Sequence, residues 1–301
     1  MATGTPRGRS NMKRGTSSVK GRGSSSLLVK RRRPKVKTQG KRKQSASVML
    51  PDWLHWTLVG LFTLVLLLGA YLYFIKPYLY RLKPCYGSRE YGVCIPNGNT
   101  YYGIDVSHHQ GQIDWKKVVS ASAASDYPLK FVFVKATEGA SFIDPDYETN
   151  IMNARQMGFV CGSYHFYNPR TSPAKQAAFF LDNISLMPGD LAPVIDIEVV
   201  GTKGSDLAQD IAQFLYEIEN KTGVTPIIYT SAKFKDRYLS DPAFDRFPLW
   251  VAHYYVETPS TKATWKIWQF TDKAHVPGIL NATDMNVFSG TDSEFRSLLK
   301  K

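Results

Sequence analysis

Polar and apolar residues follow three regimes along the chain. Residues 1 to 52 hold few apolar positions and show no period. Trp53 to Ile75, WLHWTLVGLFTLVLLLGAYLYFI, is continuously apolar and contains no Asp, Glu, Lys or Arg. Beyond residue 100, short apolar runs alternate with amphipathic ones. The short runs read as strands: YYGIDV (101–106), KFVFVKA (130–136), FVCGSYHF (159–166), APVIDIEV (192–199), PIIYT (226–230), LWVAHY (249–254), KIWQFT (266–271) and TDMNVF (283–288). Between the first six lie helical patterns: DWKKVVSASA, DYETNIMNARQMG, SPAKQAAFFLDNI, DLAQDIAQFLYEIENKTG and SAKFKDRYL. Ser172 before Pro173, and Ser205 before Asp206, read as helix starts. Gly158 and Gly223 read as helix ends.

Strands alternating with helices predict parallel βαβ units and an α/β fold. Eight strands in about 200 residues suggest a TIM-like barrel whose final part lacks helices. An open doubly wound sheet is the alternative. No GxGxxG or GxxxxGK loop is present, so a nucleotide fold has little support. No metal-ligand spacing stands out, since His108 and His109 are adjacent rather than four apart.

As a helix, 53–75 would extend about 35 Å, enough to cross a bilayer core. Trp53, Trp56, Tyr71 and Tyr73 lie towards its ends, where aromatic residues favour the membrane interface. Charge sharpens this picture. Residues 1–52 hold fifteen Lys and Arg against one acid, Asp52, and include KRRRPKVK. The remainder holds 23 basic against 24 acidic residues. The +13 of the whole chain is therefore a basic tail on a nearly neutral body. Such a tail cannot bury enough surface to fold alone and reads as disordered. The apolar segment after it argues against nucleic acid and for a membrane, with anionic lipid head groups as a partner of the tail. The basic excess before the segment places the amino terminus in the cytoplasm and the body outside, periplasmic or extracellular. The expected organisation is a cytoplasmic tail (1–52), a transmembrane helix (53–75), a linker (76–100) and a folded domain (101–301). In the linker, Cys85 and Cys94 could close a short loop in an oxidising compartment or stay reduced. Cys161, in GFVCGSYHF, reads as a packed core residue.

Carboxylates gather where strands end. Asp105 closes the first, Glu138 follows the second, Asp196 and Glu198 close the fourth, and Asp284 lies in the last. In a parallel barrel these ends form one rim, where active sites sit. In a strand, Val194, Asp196 and Glu198 share a face, opposite Ile195 and Ile197. Like charges there drive one pKa upward, and apolar neighbours push the same way. Aromatic residues occur at similar places: Tyr164, Phe166, Tyr229, Trp250, Tyr254 and Trp268. Acids among aromatics in a neutral domain suit glycoside hydrolysis, which needs a protonated acid beside the leaving oxygen and a second group near the anomeric centre. Any one of these acids alone could equally cap a helix or pair with a cation.

YGIDVSHHQGQIDW, FVFVKATEG, GSYHFYNP, APVIDIE, PIIYTSAKF, LWVAHY, WQF and TDMNVFSG occur in that order. Together they resemble the glycoside hydrolase family 25 lysozymes, the Chalaropsis-type muramidases, over about residues 101–299. The resemblance implies a (β/α)5β3 barrel and hydrolysis of the β-1,4 bond between N-acetylmuramic acid and N-acetylglucosamine in peptidoglycan, without a cofactor. By motif it implies Glu198 as general acid and Asp196 as its partner, with Asp105 and Asp284 as the other cleft acids. Two routes stay open: attack by the substrate's N-acetyl oxygen under guidance from Asp196, which we favour, or inversion through an activated water. Glu138, Tyr164, Tyr229, Trp250, Trp268, Gln269 and Asn286 are expected to contact substrate. His165 is expected to be a satisfied buried histidine. Asn183 and Asn281 head N-x-S/T triplets, which often arise by chance. The apolar segment and basic tail lie outside the family pattern and suggest an enzyme tethered beside the cell's own wall for remodelling. A wall-binding module without turnover is the alternative.

Overall fold

A computed structural model of the chain describes residues 51–76, 89–98, 101–201 and 206–301. The basic tail before residue 51, Cys85 and Ser205 lie outside them.

Helix α1 spans Asp52–Ala70 and runs into a π turn at Tyr71–Ile75. Together they make a span of 24 residues that contains an 18-residue stretch of mean hydropathy 2.4. Its apolar side chains circle the axis and none is buried. An amphipathic surface helix shows a polar stripe; this one is long and apolar enough to cross a membrane. The hydroxyls of Thr57 and Thr63 donate back to the carbonyls of Leu54 and Val59, both at 2.8 Å, so they need no outside partner.

Two short strands, β1 (Arg89–Glu90) and β2 (Val93–Cys94), pair antiparallel. Their two-residue turn, Tyr91-Gly92, has positive φ at both positions, the geometry that matches strand twist. Tyr91 and Ile95 are buried in the main core, and the Tyr91 carbonyl accepts from the His275 N–H at 2.8 Å. The packed body therefore reaches into the stretch expected to be linker. Cys94 is disulfide-bonded.

The body continues with β3 (Tyr101–Val106), α2 (Trp115–Ala124), β4 (Leu129–Glu138), β5 (Phe142–Ile143), α3 (Tyr147–Gln156), β6 (Val160–Phe166), α4 (Pro173–Asn183), β7 (Val194–Asp196), α5 (Leu207–Thr222), β8 (Ile227–Ser231), α6 (Ala232–Tyr238), β9 (Leu249–Ala252), β10 (Ile267–Ala274), β11 (Thr283–Phe288) and α7 (Asp292–Ser297). The sheet order β3-β11-β10-β9-β8-β7-β6-β4 closes through a β3–β4 pairing, giving an eight-stranded barrel-like sheet in a mixed α/β fold. Within the barrel the pairs β3–β4, β4–β6, β6–β7, β7–β8, β8–β9 and β9–β10 are parallel and β11 is antiparallel to both neighbours, while β5 pairs antiparallel with β4 outside the barrel. The open sheet is thereby set aside. Asp206 caps α5, accepting from the Gln209 N–H at 3.2 Å. Gly223 ends that helix in the left-handed region. Strand β7 is three residues, not eight, and Glu198 stands beyond its end.

Alternate strand residues build two cores. Phe131, Phe133, Val194, Ile227, Trp250, Ile267 and Phe288 fill the barrel, with Phe295 and Leu298 of the last helical segment among them. Their neighbours Val132, Val134, Ile195, Ile228, Val251 and Trp268 pack in a shell with helix residues such as Val118, Ile151, Phe180 and Phe214. Inside, Phe133 stacks on Trp250 at 4.3 Å. Gly103 exists for this packing: a Cβ there would lie 2.4 Å from the Phe131 ring. Gly103→Ala should destabilise by about 1–3 kcal/mol through overpacking. The check is thermal unfolding; an unchanged Tm would show that Phe131 can yield.

Candidate active site

The parallel strands end at one mouth, and the start of β11 reaches the same mouth. There a cleft of about 250 Å³ is lined by Asp105, Asp196, Glu198 and Asp284, with Lys135, Gln269 and the rings of Tyr164, Phe166, Tyr229, Trp250 and Tyr254. Ser107 and His109 complete the wall.

Asp105 is held by a fixed set of donors. The Trp250 indole donates to Asn286 Oδ1 at 2.8 Å, and Asn286 Nδ2 donates to Asp105 Oδ2 at 2.7 Å. An indole N–H can only donate, so the Asn286 amide has one workable orientation. The Tyr229 and Tyr254 hydroxyls donate to Gln269 Oε1 at 2.8 and 2.5 Å, leaving Gln269 Nε2 to donate to Asp105 Oδ2 at 2.8 Å. Burial raises the Asp105 pKa, and the two amide donors act against that rise.

Asp196 is buried and has no such support. Its Oδ1 finds no hydrogen-bond partner among the described residues. Burial first, then the charges of Glu198 and Asp105, push its pKa well above the usual carboxylate range. Glu198 is exposed at the cleft mouth. Enclosure raises its pKa too, while the nearby Tyr229 hydroxyl and the Lys135 charge restrain it. Solvent contact argues for a smaller rise there than at Asp196. Asp284 is raised by burial and then by Asp105.

Lys135 was not foreseen as a cleft residue. A bulge in the β4–β6 ladder between Lys135 and Thr137 lets both Lys135 and Glu138 serve this side. They pair at 2.8 Å, and Lys135 lines the cleft whereas Glu138 does not. A lysine at an inward position of FVFVKA, in step with Phe131 and Phe133, was the available signal. His109 carried no periodic signal, because it lies in the 3-10 turn His108–Gln110 after β3.

The cleft brings together Asp105, Asp196, Glu198, Asp284, Tyr164, Tyr229, Trp250 and Gln269. Asn286 is fully buried beneath it and acts on Asp105 rather than facing the space above. Trp268 does not reach the cleft: it packs in the outer shell, and its indole donates to the His253 carbonyl at 2.8 Å. Its neighbour Gln269 faces inward, so strand alternation turns Trp268 outward. His165 is fully buried between Thr137 and Gln176, and burial lowers its pKa to about 4. Cys161 is buried and free, with its thiol pushed up to about 12. Among the described residues, no group of three or more His, Cys, Asp or Glu is placed to hold a metal ion.

The family model described as glycosyl hydrolases family 25 matches residues 104–279. The chain is 36% identical to YegX of Escherichia coli (strain K12), over 70% of this chain and 78% of that protein. It is 31% identical to Lysozyme M1 of Streptomyces globisporus, over 65% of this chain and 70% of that protein. Among solved structures, the bacterial lysozyme from Streptomyces coelicolor superposes with a TM-score of 0.59 at 29% identity, covering 68% of this chain and 99% of that one.

The raised acids make stability depend on pH. Between the unfolded pKa, about 4, and its raised folded value, Asp196 binds more protons folded than unfolded. Stability then falls as pH rises through that window. Asp196→Asn removes this term, so its Tm relative to the parent should be more favourable at pH 7 than at pH 4. A pH-independent difference would mean that Asp196 titrates normally.

Proposed function

The chain belongs to glycosyl hydrolases family 25, and on that premise we propose that it is a membrane-anchored muramidase cleaving the β-1,4 bond between N-acetylmuramic acid and N-acetylglucosamine. We read the order of five strand–helix units followed by β9, β10 and β11 as the family's (β/α)5β3 barrel. One observation carries the chemistry. Asp196 presents a buried carboxyl oxygen with no partner among the described residues, next in line to Glu198 at the cleft mouth. A substrate N-acetyl group bears an N–H that can donate to that oxygen. Its own carbonyl oxygen then lies towards the anomeric carbon, the arrangement of a substrate-assisted reaction. Glu198, with its raised pKa, holds the proton for the leaving oxygen. Asp105, clamped by amide donors, supplies negative charge near the oxocarbenium-like centre. Tyr164, Tyr229, Trp250 and Tyr254 offer aromatic and hydroxyl surface for sugar rings. Glu138 supports the rim through Lys135.

The span Asp52–Ile75 acts as the anchor, with the basic tail cytoplasmic against anionic lipid and the barrel outside, facing the cell's own wall. Cys94, already disulfide-bonded, fits an oxidising compartment. A wall-facing tethered enzyme suits remodelling.

The full-length chain in detergent should release reducing ends from peptidoglycan, with muramic acid at the new ends by mass. Glu198→Gln should lower kcat about 10²–10⁴-fold while wall binding persists. Because the acid must be protonated, kcat/KM should fall as pH rises through the Glu198 pKa. Binding without release by the parent chain would instead make this a wall-binding module. On intact cells, protease added outside should digest the barrel and spare residues 1–52; loss of the tail would reverse the topology.

A further inference from the structure

Asp284 and Asp105 face each other in the register of β11 and β3. Directly opposed residues on antiparallel strands project to one face, with Cβ atoms about 5 Å apart. Two carboxylates that close in a buried site do not both stay ionised. The surroundings decide which one holds the charge.

Asp105 receives two amide N–H donors, from Gln269 and Asn286. Asn286 cannot turn its amide oxygen towards Asp105 without leaving the Trp250 indole, which can only donate, unpaired. A donor-only environment favours the carboxylate. No described residue donates to Asp284. The charges acting on it are Asp105, Asp272 of β10 and Glu198, against Lys273. Asp272 is already engaged by Lys273 at 3.2 Å and by the Tyr255 hydroxyl at 3.0 Å. Tyr254 and Tyr164, which sense Asp284, are neutral. His109 lines the same cleft and Lys135 pairs with Glu138.

We propose that Asp105 and Asp284 form a one-proton pair, in which Asp105 carries the charge and Asp284 stays protonated at neutral pH and donates its O–H to an acceptor oxygen of the bound glycan. Asp284 is then a binding residue that selects substrates with an acceptor at that point. It is not a base that activates water. Burial and the Asp105 charge push Asp284 further up than Asp105 itself. The identity of the glycan rests on the muramidase reading; the placement of the proton does not.

The test uses the full-length chain in detergent micelles. In infrared difference spectra at pH 7, Asp284→Glu, which keeps both carboxyls but changes the side chain that holds the proton, should shift the protonated-carboxyl band, and Asp105→Glu should leave it in place. A band that shifts in Asp105→Glu and not in Asp284→Glu overturns the proposal. On peptidoglycan, Asp284→Ala should raise KM about fivefold, the loss of one hydrogen bond, and Asp284→Asn should recover most of it because the amide still donates. Asp105→Asn should lower kcat about 100-fold or more through lost charge stabilisation. If Asp284→Asn loses kcat as fully as Asp284→Ala, Asp284 works as an ionised base and the proposal falls. If the parent chain releases no reducing ends, the muramidase reading fails, and the infrared result alone decides the pair.

Discussion

Four carboxyl groups share one partly dry cleft with a single lysine, Lys135. Two unit charges 4 Å apart interact by about 4 kcal/mol at an effective dielectric of 20. The cleft therefore cannot hold four bare charges, and protons must stay on some of them. Burial and neighbouring charges raise all four acids, and the two amide hydrogen bonds, which depend on the packing beneath, set Asp105 apart. Trp250 joins the two levels. Its ring stacks on Phe133 to close the barrel floor, and its indole N–H fixes the Asn286 amide that grips Asp105. Core packing and the state of a cleft acid are thus one structural feature.

Much of this was legible in the sequence because strand alternation is a strict rule. Asp196 and Val194 turn inward while Ile195 and Ile197 pack outward, as the pattern of APVIDIEV requires. The same rule, applied to KIWQFT, separates Gln269 from Trp268. Adjacent strand residues cannot both face one cleft, and aromatic chemistry alone does not override that parity. The helices were legible for a similar reason, since their apolar period and caps agree, as at Asp206 and Gly223. The clamp on Asp105 was not legible. Its members come from β3, β8, β9, β10, β11 and the loop after β9, and only closure of the barrel makes them neighbours.

Other features escaped for reasons of scale. Strands of two residues, such as those flanking Tyr91-Gly92, are too short to show a period, and their turn lacks the usual Asn-Gly signal. One extra residue in β4, Ala136, changes which side chains reach the cleft without disturbing the apolar run. The short β7 places Glu198 outside regular structure, so its nearness to Asp196 depends on the loop as well as on strand pairing. The apolar span was legible throughout, because twenty-odd residues without a charge have few physical homes.

The acids differ in their access to water, and that difference fits the division of labour proposed for them. A general acid gives up its proton in every turnover and must recover one, which requires contact with solvent. Glu198 is the exposed member of the set, and Asp105 and Asp196 are buried. Asp105 is satisfied without a ligand, with two donors in place, so the charge proposed for it needs no reorganisation in the proposed reaction. Asp196 is the opposite case, with one buried oxygen left unpaired. An unsatisfied buried oxygen costs about 1–3 kcal/mol, and a fold optimised for stability alone would fill it. Its persistence fits a site whose missing donor arrives with the ligand, so that binding supplies the interaction that folding left open.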